Sequence, residues 1–288
     1  MVKKNLYSLD QKALIEVKVP AHQNACLVIS SPHSGRNYNP KFLSSSRLDC
    51  LAIRRSEDPY VDKIFRNVIN MGIPAIYALF PRAFVDPNRG LRELDPKMFK
   101  GRIPNIDFSS RAAAGFGVIP RCVASGEEIY SKPLPAIEAT RRIDAHYKPY
   151  HNRLSSLIEK TLLKFGQCLL LDCHSMPSST FGFKDINKSN KKDIILGNRF
   201  GKTCAPEILE AAKTILIDLG FSVAVNDPYA GAYIISHYGK PQNKVHALQL
   251  EINRELYVNE KTFTPLPALD TVSTKMLCLV KKLGQAIT

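Results

Sequence analysis

The sequence predicts an α/β fold with a largely parallel or mixed sheet that helices cover on both faces. Short apolar runs typical of buried strands recur at residues 25–30, 73–79, 168–171, 222–225 and 247–252. Segments with apolar residues at three- and four-residue spacing lie between several of these runs, at residues 59–71, 135–165 and 205–219. Strands that alternate with helices of this length indicate such a sheet.

The order of these elements indicates one domain over residues 1–288. Pro149 is expected to kink or split the helix at 135–165, because proline lacks an amide hydrogen. Residues 96–130 are rich in Gly, Ser and Pro and predict a long excursion, and such loops are usually functional or mobile. No internal repeat or low-complexity linker interrupts the chain.

Composition narrows the class of protein. The 288 residues include 44% hydrophobic residues, enough for a substantial core, and seven cysteines without a CxxC pair, which indicates reduced thiols. Residues 1–14 lack an apolar signal region, and no apolar stretch approaches the roughly 18 residues of a membrane span, so we expect a cytoplasmic protein. The net charge of +14 fits a small acidic substrate, a nucleic-acid partner or a lysine-favouring composition, and the spread of the basic residues disfavours nucleic acid.

Candidate catalytic residues follow the apolar runs, since ligands of open α/β sheets bind outside the carboxyl ends of the strands. His33 and Gly35 follow the first run. His33 is either a metal ligand, beside a sharp turn that Gly35 allows, or a histidine that caps a loop. Alternation after residues 168–171 places Asp172 and His174 on one face. This pair is either a metal-bound histidine whose second nitrogen a carboxylate holds, or a buried Asp/His pair without metal.

Adjacent acids precede a predicted helix start. Glu57 and Asp58 stand immediately before Pro59. Acids in this position are good helix caps, which is one interpretation. The other is that one of them is the hard carboxylate that completes a zinc site of two histidines and one acid.

Two further strings place charged residues at strand ends. FPRAFVDPNRG brings Arg82, Asp86, Asn88 and Arg89 after the run at 73–79. The arginines and Asn88 are either ordinary surface residues or a planar guanidinium and a neutral amide that bind a carboxylate. Glu251 interrupts the run at 247–252 and Arg254 follows it. A carboxylate in this setting is either a general base or half of a structural ion pair.

Six strings occur in one order along the chain, namely PHSG, RAFVDPNRG, LDCHS, DIILGNRFG, NDPYAGAY and LQLEINRELY. Together they resemble the N-formylglutamate amidohydrolase family, over about residues 26–257. That family is similar in architecture to the zinc carboxypeptidases and the aspartoacylases. The resemblance implies a three-layer αβα sandwich with a mixed sheet, of the zinc-carboxypeptidase-like (phosphorylase/hydrolase-like) kind.

The resemblance also implies one Zn²⁺ ion per chain. His33 and His174 match the two histidine ligands. The carboxypeptidase group uses a His-x-x-Glu spacing, but Arg36 stands three residues after His33, so the acid is Asp58 or Glu57, and Asp58 is preferred.

Most of the remaining site residues follow from the same resemblance. Glu251 matches the general base, and Arg82 matches the arginine that polarises the scissile carbonyl. Asn88 and Arg89 match the pair that clamps the substrate carboxylate. Arg121, which lies in the family-like string GVIPRCVASGEEIY, is assigned to a second carboxylate. Two more substrate-binding residues are expected from their positions and not from the resemblance, namely Tyr233 at the border of the pocket and Arg254 after the run that contains Glu251.

These assignments predict a zinc-dependent amidohydrolase for an N-acylated acidic amino acid. The resemblance implies N-formyl-L-glutamate, hydrolysed to formate and glutamate as in one route of histidine breakdown. A metallohydrolase for another acyl-amino acid or peptide amide remains an alternative, and so does a catalytically silent protein that binds an acidic ligand. No nucleic-acid or membrane partner is expected, and the sequence leaves the oligomeric state open.

Overall fold

A seven-stranded mixed sheet forms the centre of the computed structural model, which describes residues 14–181 and 191–288. Its strands in chain order are β1 Ile15–Lys18, β2 Leu27–Ser31, β3 Ala75–Ala78, β4 Cys168–Met176, β5 Ile194–Gly197, β6 Val223–Val225 and β7 Val245–Asn253. The spatial order is β1-β3-β2-β4-β7-β5-β6. The outer strand β1 pairs antiparallel with β3, β5 pairs antiparallel with β7, and the other neighbours are parallel.

Helices cover both faces of this sheet and confirm the predicted fold class. They are α1 Pro40–Ser45, α2 Val61–Ile64, α3 Ser110–Ala113, α4 Ile137–Arg142, α5 Lys148–Phe165, α6 Pro206–Asp218, α7 Tyr233–Tyr238 and α8 Leu269–Ile287. Successive strand residues point to opposite faces. Leu169 and Leu171 therefore pack in one core with α2, α6 and α8, whereas Leu170 packs in a second core with α4, α5 and α7.

The two longest strands lie side by side at the centre of the sheet. Strands β4 and β7 pair over nine residues each, and every residue in both is buried. The apolar run at 168–171 predicts only the first half of β4. The strand continues to Met176 because its backbone ladder with β7 continues, and this register sets His174 opposite Glu251.

The helix predictions hold in outline and differ at the breaks. The segment 59–71 divides into α2 and a 3₁₀ turn, Arg66–Met71. The segment 135–165 divides into α4, a π turn at Ile143–Tyr147 and α5, just where the missing amide of Pro149 removes a helical hydrogen bond. The helix α6 matches the predicted 205–219 within one residue at each end.

The excursion at 96–130 is tied to the segment before it. The amide of Asp86 donates to Val118 O at 2.8 Å, and the amide of Val118 donates to Glu93 O at 2.7 Å. Phe99–Lys100 also pairs with Leu134–Pro135. The excursion is thereby held against the carboxyl end of the sheet.

The remaining short segments lie between these elements. The further 3₁₀ turns are Ala52–Ser56, Pro96–Met98, Ser178–Phe181, Pro241–Asn243 and Arg254–Leu256, and Val258–Asn259 pairs with Thr264–Pro265. None of the helices in the described ranges is long and apolar enough to cross a bilayer. The prediction that residues 1–14 carry no signal region concerns a segment that, apart from Leu14, lies outside the described residues.

Candidate active site

Two histidines and one aspartate converge at the carboxyl ends of the central strands. His33 follows β2, His174 lies in β4, and Asp58 follows the turn at Ala52–Ser56, and all three are buried. Their candidate ligand atoms lie within 4.8 Å of one another. Asp58 Oδ2 is 2.9 Å from His174 Nδ1 and 3.4 Å from His33 Nδ1. The order of strands in the sheet thus unites residues that are far apart in sequence.

The outer nitrogen of each histidine faces its own carboxylate. His33 Nε2 lies 2.7 Å from Asp86 Oδ1, and His174 Nε2 lies 2.9 Å from Asp172 Oδ2. A carboxylate on Nε2 favours the tautomer with its hydrogen there, which leaves Nδ1 free to ligate. His33 Nδ1 is buried and has no hydrogen-bond partner within the described residues. Two imidazole nitrogens and one carboxylate oxygen, held in this way, fit a zinc ion.

Opposite charges stabilise the ionised forms of these buried groups. Burial opposes ionisation of Asp58, but the hydrogen bond with His174 and the nearby His33 ring outweigh it and hold the pKa of Asp58 well below its ordinary value. Burial likewise opposes a charge on His174, and the carboxylate of Asp172 outweighs it, so the pKa of His174 is raised well above its ordinary value. Asp58 and His174 therefore stabilise each other's ionised forms, with Asp58 Oδ2 and His174 Nδ1 2.9 Å apart.

The supporting aspartates are themselves held by specific donors. Ser30 Oγ lies 2.7 Å from Asp172 Oδ1 and 2.9 Å from the Tyr150 hydroxyl of α5. Asp86 accepts hydrogen bonds from Arg82 Nε at 2.9 Å and from the amide of Asn88 at 2.8 Å. These contacts leave each carboxylate one orientation, and that orientation fixes the histidine rings.

Glu251 lies beside the histidines on β7. Gln249 Nε2 donates to Glu251 Oε1 at 2.9 Å, and Gln249 Oε1 accepts from the amide of Ala232. Burial raises the pKa of Glu251 to about 7, although the charges of His174 and Arg82 act in the opposite direction. A carboxylate with this pKa is suited to accept and return a proton near neutral pH.

A cavity of about 620 Å³ opens above these residues. Of the site residues predicted from sequence, His33, Asp58, Arg82, Asn88, Arg89, His174, Glu251 and Arg254 line it. Arg254 Nη2 donates to Asp58 Oδ1 at 3.1 Å, so this arginine braces the acid of the three-residue group. Arg89 is buried, and its Nε donates to Phe116 O at 2.9 Å.

Asn88 lines the cavity but its amide is engaged with the scaffold. Its Oδ1 accepts from the amide of Ile234 at 2.7 Å, and its Nδ2 lies 3.4 Å from Asp172 Oδ2. These contacts differ from those of a free substrate clamp. They tie the start of α7 to the carboxylate that supports His174.

Three predicted residues lie outside the cavity lining. Glu57 points away from the histidines, with Oε1 accepting from Tyr38 Oη at 2.7 Å and from Arg54 Nε at 3.0 Å. Asp58 is therefore the acid that the structure brings to the two histidines.

Arg121 and Tyr233 are the other two. Arg121 Nε donates to Asp95 at 2.7 Å, and its Nη1 donates to Glu128 at 2.6 Å, so its guanidinium is paired with one acid just before the excursion and one within it. The ring of Tyr233 stacks on His237 with 5.0 Å between centroids. Its neighbour Ala232 lines the cavity instead.

The structure adds residues that sequence reasoning missed. For Asp86, which the sequence places in the string RAFVDPNRG, it was the role that was missed, namely its support of His33. Arg199 lies in the string DIILGNRFG, after a strand that was not predicted. Gln249 could have been found by alternation, since it shares a face of β7 with Glu251. Arg111 carried no sequence signal.

Comparisons with known proteins show what this chain is similar to. The family model of N-formylglutamate amidohydrolase matches residues 25–258. An N-formylglutamate deformylase of Pseudomonas putida is 26% identical over 268 residues, which cover 91% of each chain, and one of Pseudomonas aeruginosa is 26% identical over 238 residues, which cover 82% of this chain and 83% of that protein. The crystal structure of N-formylglutamate amidohydrolase from Ralstonia eutropha JMP134 superposes with a TM-score of 0.89 at 31% identity, covering 96% of this chain and 99% of that one.

Proposed function

Because the chain belongs to the N-formylglutamate amidohydrolase family and is therefore a hydrolase of linear amide C–N bonds, we propose that it converts N-formyl-L-glutamate to formate and glutamate with one bound Zn²⁺ ion. We further propose that residues 1–288 form a single catalytic domain and that the protein works in the cytoplasm. The names of the two Pseudomonas relatives support this choice of substrate.

One observation carries the metal part of the proposal. Both Nδ1 atoms of the buried histidines face Asp58 Oδ2, and both Nε2 atoms face separate aspartates. His33 Nδ1 has no hydrogen-bond partner in the described part of the chain. A buried nitrogen without a partner costs free energy unless something else binds it. A cation among His33, Asp58 and His174 removes that cost.

Glu251 moves the protons in the proposed reaction. A zinc ion held by His33, Asp58 and His174 would supply Lewis-acid chemistry, which makes a water more acidic and polarises a carbonyl oxygen. Glu251 takes a proton from the attacking water and later returns it to the amide nitrogen of the leaving glutamate. Burial suits it to this exchange because its pKa of about 7 lies near the working pH.

The arginines orient the substrate and stabilise developing charge. Arg82 Nε is occupied by Asp86, and its guanidinium lines the cavity, where its other nitrogens stabilise the oxyanion. Arg89 binds the carboxylate next to the amide, because it is buried and its guanidinium donates to two carbonyl oxygens, which fix its orientation. Asn88 positions Asp172 and α7, and Arg254 positions Asp58.

Metal content and formate release test the proposal together. Purified wild type is expected to hold about one zinc ion per chain and to release formate from N-formyl-L-glutamate. A chelator should stop the release, and added zinc should restore it. His174→Ala should lose both zinc and activity, whereas the matched control His22→Ala changes an exposed histidine far from the sheet centre and should lose neither.

Each other outcome has a definite meaning. Zinc binding without formate release would direct the search to other acyl-amino acids. Formate release that survives removal of all metal would exclude the proposed role of His33, Asp58 and His174. Absence of metal after zinc is added back, together with binding of acidic ligands, would favour the catalytically silent binding protein.

A further inference from the structure

Six arginines line the cavity, and they differ in whether an acid already neutralises them. Arg55 pairs with Glu127, Arg82 with Asp86 and Arg254 with Asp58. Arg89 shares Asp86 at the longer distance of 3.9 Å.

The remaining two, Arg111 and Arg199, form no ion pair with any residue of the described ranges. Arg199 Nη1 donates to Gly231 O at 3.4 Å, whereas the Arg111 side chain makes no hydrogen bond within the same ranges. Arg111 is thus the cavity arginine whose guanidinium is the least engaged by the protein.

Arg111 and Arg89 are connected by the backbone of one residue. Phe116 O accepts from Arg89 Nε at 2.9 Å, and the Phe116 amide donates to Arg111 O at 2.8 Å. The charge of Arg111 is close enough to lower the pKa of Arg89, in the same direction as the larger effect of burial. Two cations held this close, with Asp86 already shared by Arg82 and His33, form a strongly anion-binding part of the cavity.

The backbone around Arg111 is braced so that this arrangement persists. Gly115 has a left-handed φ of 93°, and its carbonyl accepts from the amide of Arg121 at 2.8 Å and from that of Cys122 at 3.1 Å. A Cβ on Gly115 would lie 2.7 Å from Cys122 Sγ. Arg121, whose side chain Asp95 and Glu128 hold, therefore acts as a positioning residue for the turn that carries Arg111 and Phe116.

We propose that Arg111 binds the side-chain carboxylate of the substrate and so selects a dicarboxylate over its neutral amide. This assignment rests on the proposed function, in which Arg89 binds the carboxylate next to the scissile amide. Glutamate carries its second carboxylate two methylene groups from the α-carbon, so the second cation must stand beside the first. Arg111 meets this requirement, and its exposed position at the cavity mouth lets the side chain adjust to the ligand.

The test compares ligands that differ only in that carboxylate. Calorimetry measures the dissociation constants of L-glutamate and L-glutamine with the zinc-loaded enzyme, and kcat/KM is measured for their N-formyl derivatives. In Arg111→Met, the affinity for glutamate should fall about tenfold or more, the value of a hydrogen bond to a charged group, while that for glutamine changes little. Arg111→Lys should retain part of the preference, because it keeps the charge and loses the planar fork.

Two further variants separate the assignment from simpler explanations. Arg102→Met removes the same charge from the same excursion, outside the cavity, and should keep the preference for glutamate. An equal loss in Arg102→Met would mean that only the overall field matters, and would overturn the assignment. If Arg199→Met loses the preference for glutamate and Arg111→Met keeps it, the side-chain carboxylate binds at Arg199, and this outcome would also overturn the assignment.

The result also distinguishes this assignment from the proposed reaction. Formate release from N-formylglutamate with a glutamate preference that Arg111→Met leaves unchanged refutes the role of Arg111 and keeps the reaction. A preference that depends on Arg111, in a protein that releases no formate, refutes the reaction and keeps the role. A wild type without any preference for glutamate over glutamine refutes the role of Arg111.

Discussion

Replacing Asp172 with Asn removes the charge that supports His174 and keeps the shape of the side chain. Asp172 is fully buried, and its two oxygens lie 2.9 Å from His174 Nε2 and 2.7 Å from Ser30 Oγ. Loss of a carboxylate in this position typically costs 10- to 100-fold in metal affinity, or about 1.4 to 2.7 kcal/mol. We expect zinc binding by Asp172→Asn to weaken within that range. Ser30→Ala removes the hydroxyl that contacts Asp172 and Tyr150 but removes no charge, so its effect should stay below about tenfold.

Competition with a chromophoric chelator at constant neutral pH measures the zinc affinity, and circular dichroism checks that each variant is folded. Asp193→Asn is the matched control, because Asp193 also accepts two hydrogen bonds, from the Ser222 amide and hydroxyl at 2.8 Å each, away from the histidines. The reasoning is refuted if Asp172→Asn binds zinc as tightly as wild type, or if Asp193→Asn loses as much affinity.

Three more predictions concern the base, the turn after β2 and the helix behind the site. Glu251→Gln should lower kcat by about 10²- to 10⁴-fold with unchanged zinc content. The wild-type rate should fall as the pH drops below about 7, where Glu251 is protonated. A variant with full activity would exclude Glu251 as the base. Gly35→Ala should lower the free energy of unfolding, measured with denaturant, by about 1–3 kcal/mol or more. The reason is that the added Cβ would lie 2.6 Å from the carbonyl carbons of Leu79 and Phe80. Unchanged stability would contradict this close approach. Burial lowers the pKa of His151 from 6.5 to about 4, so the unfolded chain binds more protons than the folded chain below pH 6.5. The free energy of unfolding of wild type should therefore fall by about 2 kcal/mol between pH 7 and pH 5 because of this group. His151→Asn should lack that decrease, and a parallel pH dependence of stability in both proteins would refute the prediction.

The ends of the apolar runs predicted most of the residues that the structure brings together at the candidate site. The alternation in LDCHS predicts that Asp172 and His174 lie on one face, and in the structure Asp172 Oδ2 lies 2.9 Å from His174 Nε2. The apolar run could not show that β4 extends to Met176, because that extension depends on pairing with β7, a contact between distant segments. Polar residues inside a strand are recognisable only when their partners are known.

The choice between Glu57 and Asp58 shows a different limit. The two acids are adjacent, and composition and spacing treat them alike. The structure separates them because the turn at Ala52–Ser56 ends in extended backbone at Glu57, which directs that side chain to Tyr38 and Arg54 and the next to His33 and His174. Arg121 shows the same limit, because its ion pairs with Asp95 and Glu128 form only when the excursion has folded and are not visible in the string that contains it.

Part of the excess of basic residues lies at the cavity, where it bears on the kind of ligand that the cavity binds. Six arginines line it, and within residues 14–181 and 191–288 no lysine does. An ammonium beside other cations in a desolvated cavity readily loses its proton, whereas a guanidinium keeps its charge. Arginine therefore maintains a positive potential around the histidines despite burial and the neighbouring charges. Because these cations surround a concave space of about 620 Å³ and do not form a flat exposed patch, they favour a small acidic ligand over a polyanion.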